Sequence, residues 1–498
     1  MTWEKDPYRI LGISHSATTE DIKVAYRKLA HRLHPDVNPG SAAAALQFQD
    51  VTSAHELLTS PTRRSEYDQR FEKSDPDDEF HFTLQVTPSK RKVMPLAEPQ
   101  IVYVLTEIMP DERAGERKKG QEARLNLTLV LDQSNSMSGS RIEKVKIAAH
   151  QIIDNLTEND FISVITFNDR AETIIRATPV KDKASLKARI SLIGASGGTE
   201  IFQGLNAGVQ ETRQYLGPKL INHIILLTDG HTFGDQKQCL DLAQQAAREG
   251  IGISAMGLGH DWNDEFLDDI ASRTGGSSEY IKSASAVVKF LNDQVRSLAN
   301  AFADRVMLSV AVDPDVVFES AFKLAPNPQP LAVNGGNLPL GTLQINRPIS
   351  VLLQLQLPSE MSLGTRTVAR VTVNGDILLN SSSEYQELQD FSIDVTSDQV
   401  REDPPTAILD ALSKLTLYRL QERAREALEK GNADEATRRL ENLATRLLAM
   451  GQDELANQAL IEARRVAHTN DLSDRGRKTL KYQTRHLLLS DSDKDEML

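Results

Sequence analysis

The stretch Asp132-Gln133-Ser134-Asn135-Ser136-Met137-Ser138 closes an apolar run, Leu125 to Leu131, and opens an amphipathic one, Ser140 to Leu156. A short apolar run reads as a buried strand and the 3.6-residue rhythm after it as a helix, so the stretch sits where a strand hands over to a helix. Asp132, Ser134 and Ser136, at alternate positions, can turn three oxygens toward one point, as a small hard cation requires. Asp and Ser also cap ordinary helices by accepting from unpaired N–H groups, and on spacing alone both readings stand.

Outward from this stretch, residues 125 to about 306 alternate β and α patterns, which indicates a mostly parallel sheet covered on both faces. Strands are expected at Leu125–Leu131, Phe161–Phe167, Ile224–Leu227, Ile251–Gly257 and Glu279–Ile281, with an edge strand at Glu172–Ile175. Helices are expected at Arg141–Leu156, Lys183–Ile193, Ile201–Tyr215, Gln236–Arg248, Glu265–Arg273 and Ser285–Val306. Sites in such open sheets lie outside the carboxyl ends of the strands, where Asp132 and Thr228-Asp229-Gly230 fall and which the Gly197-Gly198-Thr199 turn could also reach.

With these three strings the segment resembles a von Willebrand factor A domain carrying a metal-ion-dependent adhesion site. The resemblance implies that Ser134, Ser136 and Thr199 supply hydroxyl oxygens and that Asp132 and Asp229 act directly or through water. It also implies Mg²⁺, or Mn²⁺ or Ca²⁺, as cofactor, and a protein partner that offers an acidic side chain to the metal. Asn135 and Glu200 depart from the commonest residues of the pattern, and neither removes a ligand.

Residues 1–73 read as a small all-α domain. A short helix ends at Gly12, Thr19-Glu20-Asp21 offers a cap, and Ile22 to Leu33 places Ile22, Ala25, Tyr26, Leu29 and Leu33 on one face. Lys23, Arg27, Lys28 and Arg32 lie mostly off it, and a further helix runs from about Ala42 to Leu58. Through Asp6-Pro7-Tyr8-x-x-Leu11-Gly12, this basic helix, His34-Pro35-Asp36 and Arg64-x-x-Tyr67-Asp68, the segment resembles the J-domain of DnaJ-type co-chaperones. The resemblance implies stimulation of a DnaK-type chaperone ATPase, with the basic face steering onto an acidic surface and Asp36 engaging the ATPase. An acidic linker, residues 74–79, follows and spans at most about 20 Å.

Alternation at Phe80 to Val86 and Ile101 to Ile108 indicates strands, as does the pattern of residues 307–400, with strands such as Val351–Leu357, Val368–Val373 and Phe391–Val395. The economical arrangement is one β-sandwich, built from residues 80–124 and 307–400 and interrupted by the A domain at 125–306. It is similar to bacterial A-domain proteins of the inter-α-trypsin-inhibitor and chloride-channel-like type. Residues 404–489 read as helical, with Gly431 and Gly451 stopping helices and Asn432 capping one, and the acidic tail 490–498 as disordered. The expected fold is therefore multidomain α and β: a helical J-domain, a Rossmann-like α/β A domain inserted in a β-sandwich, and a C-terminal helical segment.

Composition narrows the function. No apolar run approaches the roughly 20 residues that cross a bilayer, and the N-terminus has no secretory pattern, so a cytoplasmic protein without membrane insertion is expected. A formal net charge of -13 argues against nucleic acid as a partner of the whole molecule. The single Cys239 rules out a disulfide framework and reads as a buried helical residue. Gly194-Ala195-Ser196-Gly197-Gly198 matches the hydrolase string G-x-S-x-G, but it follows a helical pattern instead of a buried strand. The expectation is a non-enzymatic adaptor co-chaperone; the alternative is an assembly subunit of a ring ATPase, resembling the chelatase A-domain component.

Overall fold

The computed structural model describes residues 7–11, 13, 17–34, 42–73, 79–116, 123–217, 219–232, 234–380, 384–398 and 402–489. Pro35, Asp36, linker residues 74–78 and the acidic tail lie outside them. The chain begins with α1 (Pro7–Leu11), α2 (Thr19–Leu33), α3 (Ala42–Thr59) and α4 (Pro61–Lys73). The capping residue of α2 is Thr18, not Thr19. Thr18 Oγ1 accepts the Asp21 N–H at 3.2 Å while the Asp21 carboxylate accepts the Thr18 N–H at 2.8 Å, and only Thr18 stands three residues before Asp21, as a capping box requires. Ile22 and Leu33 of α2 meet Val51, Ala54, Leu57 and Leu58 of α3 in a small core closed by Tyr8.

Next come β1 (Thr83–Pro88), β2 (Lys92–Val93) and β3 (Gln100–Met109). The chain then leaves this region for β4 (Arg124–Asp132), α5 (Ser140–Asn155), β5 (Phe161–Phe167), β6 (Ala171–Pro179), α6 (Lys183–Ser191) and α7 (Ile201–Thr212). It continues through β7 (Leu220–Thr228), α8 (Gln236–Arg248), β8 (Ile251–Leu258), α9 (Asp264–Thr274), β9 (Ser278–Ile281) and α10 (Ala284–Ala299). The sheet order is β6-β5-β4-β7-β8-β9, parallel except for the antiparallel edge strand β6. Leu125, Leu127, Leu129 and Leu131 of β4 pack under α5, α6 and α10, whereas Val130 faces α7, α8 and α9. Both faces of β4 are buried, and its polar Asn126 and Thr128 are buried too, each hydrogen-bonded: Asn126 donates to Thr212 O at 2.8 Å and the Thr128 hydroxyl stands 2.7 Å from that of Thr212. Truncating a fully buried leucine such as Leu129 costs about 2–5 kcal/mol. Cys239 is buried on α8.

The chain returns through β10 (Ala301–Val312), β11 (Val317–Ala325), β12 (Gln329–Leu331), β13 (Asn337–Gln344), β14 (Ile349–Leu357), β15 (Gly364–Ile377) and β16 (Glu384–Val395). Two sheets, β1-β3-β14-β11-β12 and β13-β10-β15-β16-β2, form one sandwich around a shared apolar core. The A domain is inserted between β3 and β10, and its entry and exit are tied by the Ala123 N–H donating to Ala299 O at 3.0 Å. The helix expected at Ser285–Val306 is corrected here: it ends at Ala299, and its last stretch is strand. Leu298, Phe302 and Val306 mimic helical spacing, but Ala301, Phe302 and Ala303 are all buried in sandwich or junction, and Arg305 at φ 53° bulges the strand. Tertiary burial overrides the local rhythm.

Finally α11 (Thr406–Glu429), α12 (Ala433–Ala449), α13 (Asp453–Thr469) and α14 (Asp474–His486) form a helical unit. Asn432 caps α12 by accepting the Glu435 N–H at 3.1 Å. Helix α11 lays Ile408, Leu415 and Tyr418 on Leu105, Phe322 and Leu352 of the sandwich. Helix α14 returns to the A domain, placing Lys481 between Asp264 and Asp268 of α9 at 2.6 and 2.9 Å. Among the described residues, no helix is long and apolar enough to cross a membrane.

Candidate functional site

Strand β4 delivers Asp132, fully buried, to the carboxyl edge of the parallel sheet. One carboxylate oxygen accepts the Ser134 N–H at 2.8 Å and the other accepts the Thr228 hydroxyl at 2.6 Å, so both are aimed. Burial raises the Asp132 carboxyl above the usual range; those hydrogen bonds oppose the shift and the nearby Asp229 charge adds to it. Beyond Asp132 a 3-10 turn at Asn135–Met137 is pinned by the buried Met137. Ser134 Oγ stands 2.9 Å from Ser136 Oγ, and the Ser136 hydroxyl donates to Asp229 Oδ1 at 2.6 Å.

The third stretch is drawn in by backbone bonds. The Asn135 N–H donates to Gly197 O at 3.0 Å and the Ser196 N–H to Gln133 O at 2.6 Å, while Asp169 accepts the Gly198 N–H at 3.1 Å. Thr199 then lies against Gly230, where an added Cβ would stand 3.0 Å from Thr199 Oγ1. A side chain after Asp229 would therefore press on Thr199, which glycine avoids. Asp132, Ser134, Ser136, Thr199 and Asp229 converge on one edge from three separate stretches.

Arg141, in the first turn of α5, completes the cluster. Its guanidinium pairs with Asp229 Oδ2 and reaches Ser136 O at 3.3 Å. Sequence reading passed over this residue, although a cation at a helix N-terminus opposes the helix dipole and calls for a nearby anion. Among the described residues no three His, Cys, Asp or Glu side chains group as a metal site. The donors here are two carboxylates and three hydroxyls, an oxygen-only set that fits a small hard divalent cation. Ser196 Oγ stands 3.3 Å from Asn168 Nδ2, and His260 Nδ1 is 2.8 Å from the Tyr280 hydroxyl.

In the N-terminal unit, Lys23, Arg27 and Lys28 of α2 are exposed, as is His34, whose ring meets Phe48 edge-on at 5.8 Å. Arg27 bonds Glu20 at 3.2 Å; the Arg32 side chain, like Pro35 and Asp36, is outside the described residues. Tyr8 is buried and donates to Asp68 at 2.8 Å, and Arg64 bonds the Tyr8 hydroxyl at 2.7 Å and Ala17 O at 2.8 Å. The two ends of the motif set therefore close on one another.

Comparison with known proteins recognises three segments of the chain. A DnaJ domain matches residues 6–68, a von Willebrand factor type A domain residues 126–294, and the "Sll0103-like, C-terminal alpha-helical domain" residues 406–490. The protein sll0103 of Synechocystis is 30% identical over 365 residues, covering 71% of this chain and 86% of that protein. The chain belongs to the Sll0103-like family. This Sll0103-like chain carries an N-terminal DnaJ domain that is 54% identical over 66 residues to chaperone protein DnaJ 1 of Mycobacterium tuberculosis, and the match covers 17% of that chaperone. In fold it is similar to a von Willebrand factor type A protein from Catenulispora acidiphila, with TM-score 0.65 and 16% identity over 82% of this chain and 98% of that one. The ArnB paralog VWA2 from Sulfolobus acidocaldarius gives TM-score 0.54 and 15% identity over 82% and 99%.

Proposed function

We propose that this protein is a non-enzymatic adaptor co-chaperone: its DnaJ domain stimulates a DnaK-type ATPase while its A domain holds a protein partner through a divalent metal. The observation that carries the reading is the convergence of Asp132, Ser134, Ser136, Thr199 and Asp229 at one sheet edge, in a chain that also bears a DnaJ domain. Those five residues would hold Mg²⁺, which when bound supplies a Lewis-acidic position for a carboxylate oxygen of the partner. Thr228 orients Asp132, Ser136 orients Asp229, and Arg141 balances the Asp229 charge. On the DnaJ domain, the exposed Lys23, Arg27 and Lys28 offer positive potential to an acidic ATPase surface. Two sites on one chain raise the local concentration of the chaperone at the captured partner.

Two substitutions separate the parts. Purified protein is expected to stimulate a DnaK-type ATPase, and Asp36→Asn to lose the effect; full stimulation by that variant would refute the chaperone half. Asp132→Ala is expected to abolish Mg²⁺-dependent capture of partners and to keep ATPase stimulation. Capture that persists in EDTA would refute the metal half, and recovery of a ring ATPase in place of a DnaK-type chaperone would favour an assembly-subunit role.

A further inference from the structure

Helix α3 of the DnaJ domain lies on the outer face of the sandwich, and one arginine marks the contact. Arg370 of β15 faces Asp390 of β16 in the strand register and bonds it at 2.8 Å. The same guanidinium pairs with Asp50 of α3, which leaves Arg370 only 7% exposed. Gln47, one helical turn before Asp50, is also buried. A guanidinium between two carboxylates spends its charge on both while its stem is covered, a geometry more specific than a solvated surface pair.

The tether supports the same contact. Just past the linker, Asn380 accepts the Phe80 N–H at 2.8 Å and donates to Phe80 O at 2.6 Å, pinning the chain to the sandwich. Residues 74–79 between α4 and this anchor reach at most about 20 Å. At that range the effective concentration is on the order of millimolar, and a patch of modest affinity suffices. Meanwhile Lys23, Arg27, Lys28 and His34 remain exposed.

We propose that the β15–β16 strand pair is a seat for the DnaJ domain, gripping α3 through Asp50 and Arg370 so that the α2 cations and His34 stay open to a partner. The seat then fixes the direction from which an acidic ATPase approaches the rest of the molecule, a consequence that rests on the co-chaperone reading. Cysteines at the exposed Gln49, next to Asp50, and at the exposed Ser392, two residues from Asp390 on the same strand face, test the contact with a flexible bis-maleimide, because the native Cys239 is buried. The parent pair is expected to crosslink within one chain. Asp50→Lys should lower the yield about fivefold or more, Asp50→Glu should keep it, and the same charge change at the exposed Glu66, Glu66→Lys, should leave it unchanged. A parent that does not crosslink, an Asp50→Lys variant that crosslinks as fully as the parent, or an equal loss with Glu66→Lys would each overturn the seat. The ATPase assay on the same proteins is a separate readout: crosslinking as expected without stimulation would leave the seat standing and remove the co-chaperone reading.

Discussion

His223 lies near the start of β7, toward the sheet end opposite Asp132, 6% exposed and with its Nε2 2.9 Å from Ser254 Oγ. Desolvation pushes its imidazole down to about 4. The unfolded chain, with a value near 6.5, binds the proton more readily, so the stability this group contributes is complete above about pH 6.5 and is lost as pH falls toward 4. The full shift corresponds to about 3 kcal/mol. Urea unfolding of wild type and His223→Leu across that window is expected to show a shallower pH dependence in the variant, and identical slopes would contradict a neutral buried imidazole. Residue-scale legibility was uneven. Asp132, Ser134, Ser136, Thr199 and Asp229 could be singled out because they stand at fixed spacings within short strings, whereas Arg141 and His223 meet partners remote in sequence, Asp229 and Ser254, and belong to no string.

Among the elements, the α9–β9 turn shows what a local pattern carries and what it omits. Thr274-Gly275-Gly276 reads from sequence as a turn, and Gly275 does take φ 73°. The closer constraint is remote: an added Cβ at Gly275 would stand 2.4 Å from Gly341 N of β13, so A domain and sandwich touch backbone to backbone. Gly275→Ala is therefore expected to lower stability by about 2 kcal/mol or more, combining left-handed strain with the clash. Gly194→Ala, where an added Cβ meets nothing within 4 Å, should be near neutral in the same thermal melts. Equal effects would remove the junction from the account. The α10–β10 boundary failed in sequence for a related reason, since Phe302 and Val306 keep helical spacing while the core that claims them is assembled from distant strands.

For the molecule as a whole, the order of its parts was legible and their docking was not. Alternating strands on both sides of an α/β segment imply an interrupted sandwich, but no periodicity reports that α14 closes on α9. There Asp268 meets Lys481 and Arg485, and burial would raise its carboxyl had these cations not driven it well below the usual range. Asp264 meets Lys481 and Arg477 in the same way, while Lys478 donates to Trp262 O at 2.5 Å. Removing residues 404–498 would leave Asp264 and Asp268 without these cations and expose Leu105, Phe322 and Leu352 under α11. Breaking one buried pair costs about 3–5 kcal/mol. The DnaJ domain, by contrast, has its own core and meets the sandwich through a small polar contact. Calorimetry of truncated chains should separate the two cases: deletion of residues 1–78 is expected to leave the main unfolding transition in place, and deletion of 404–498 to lower it by several degrees or abolish it. A chain lacking 404–498 that melts like the parent would show that the helical unit only rests on the A domain and sandwich; a lowered transition would make it part of their folding unit, bound to the α/β sheet that carries Asp132 at its carboxyl edge.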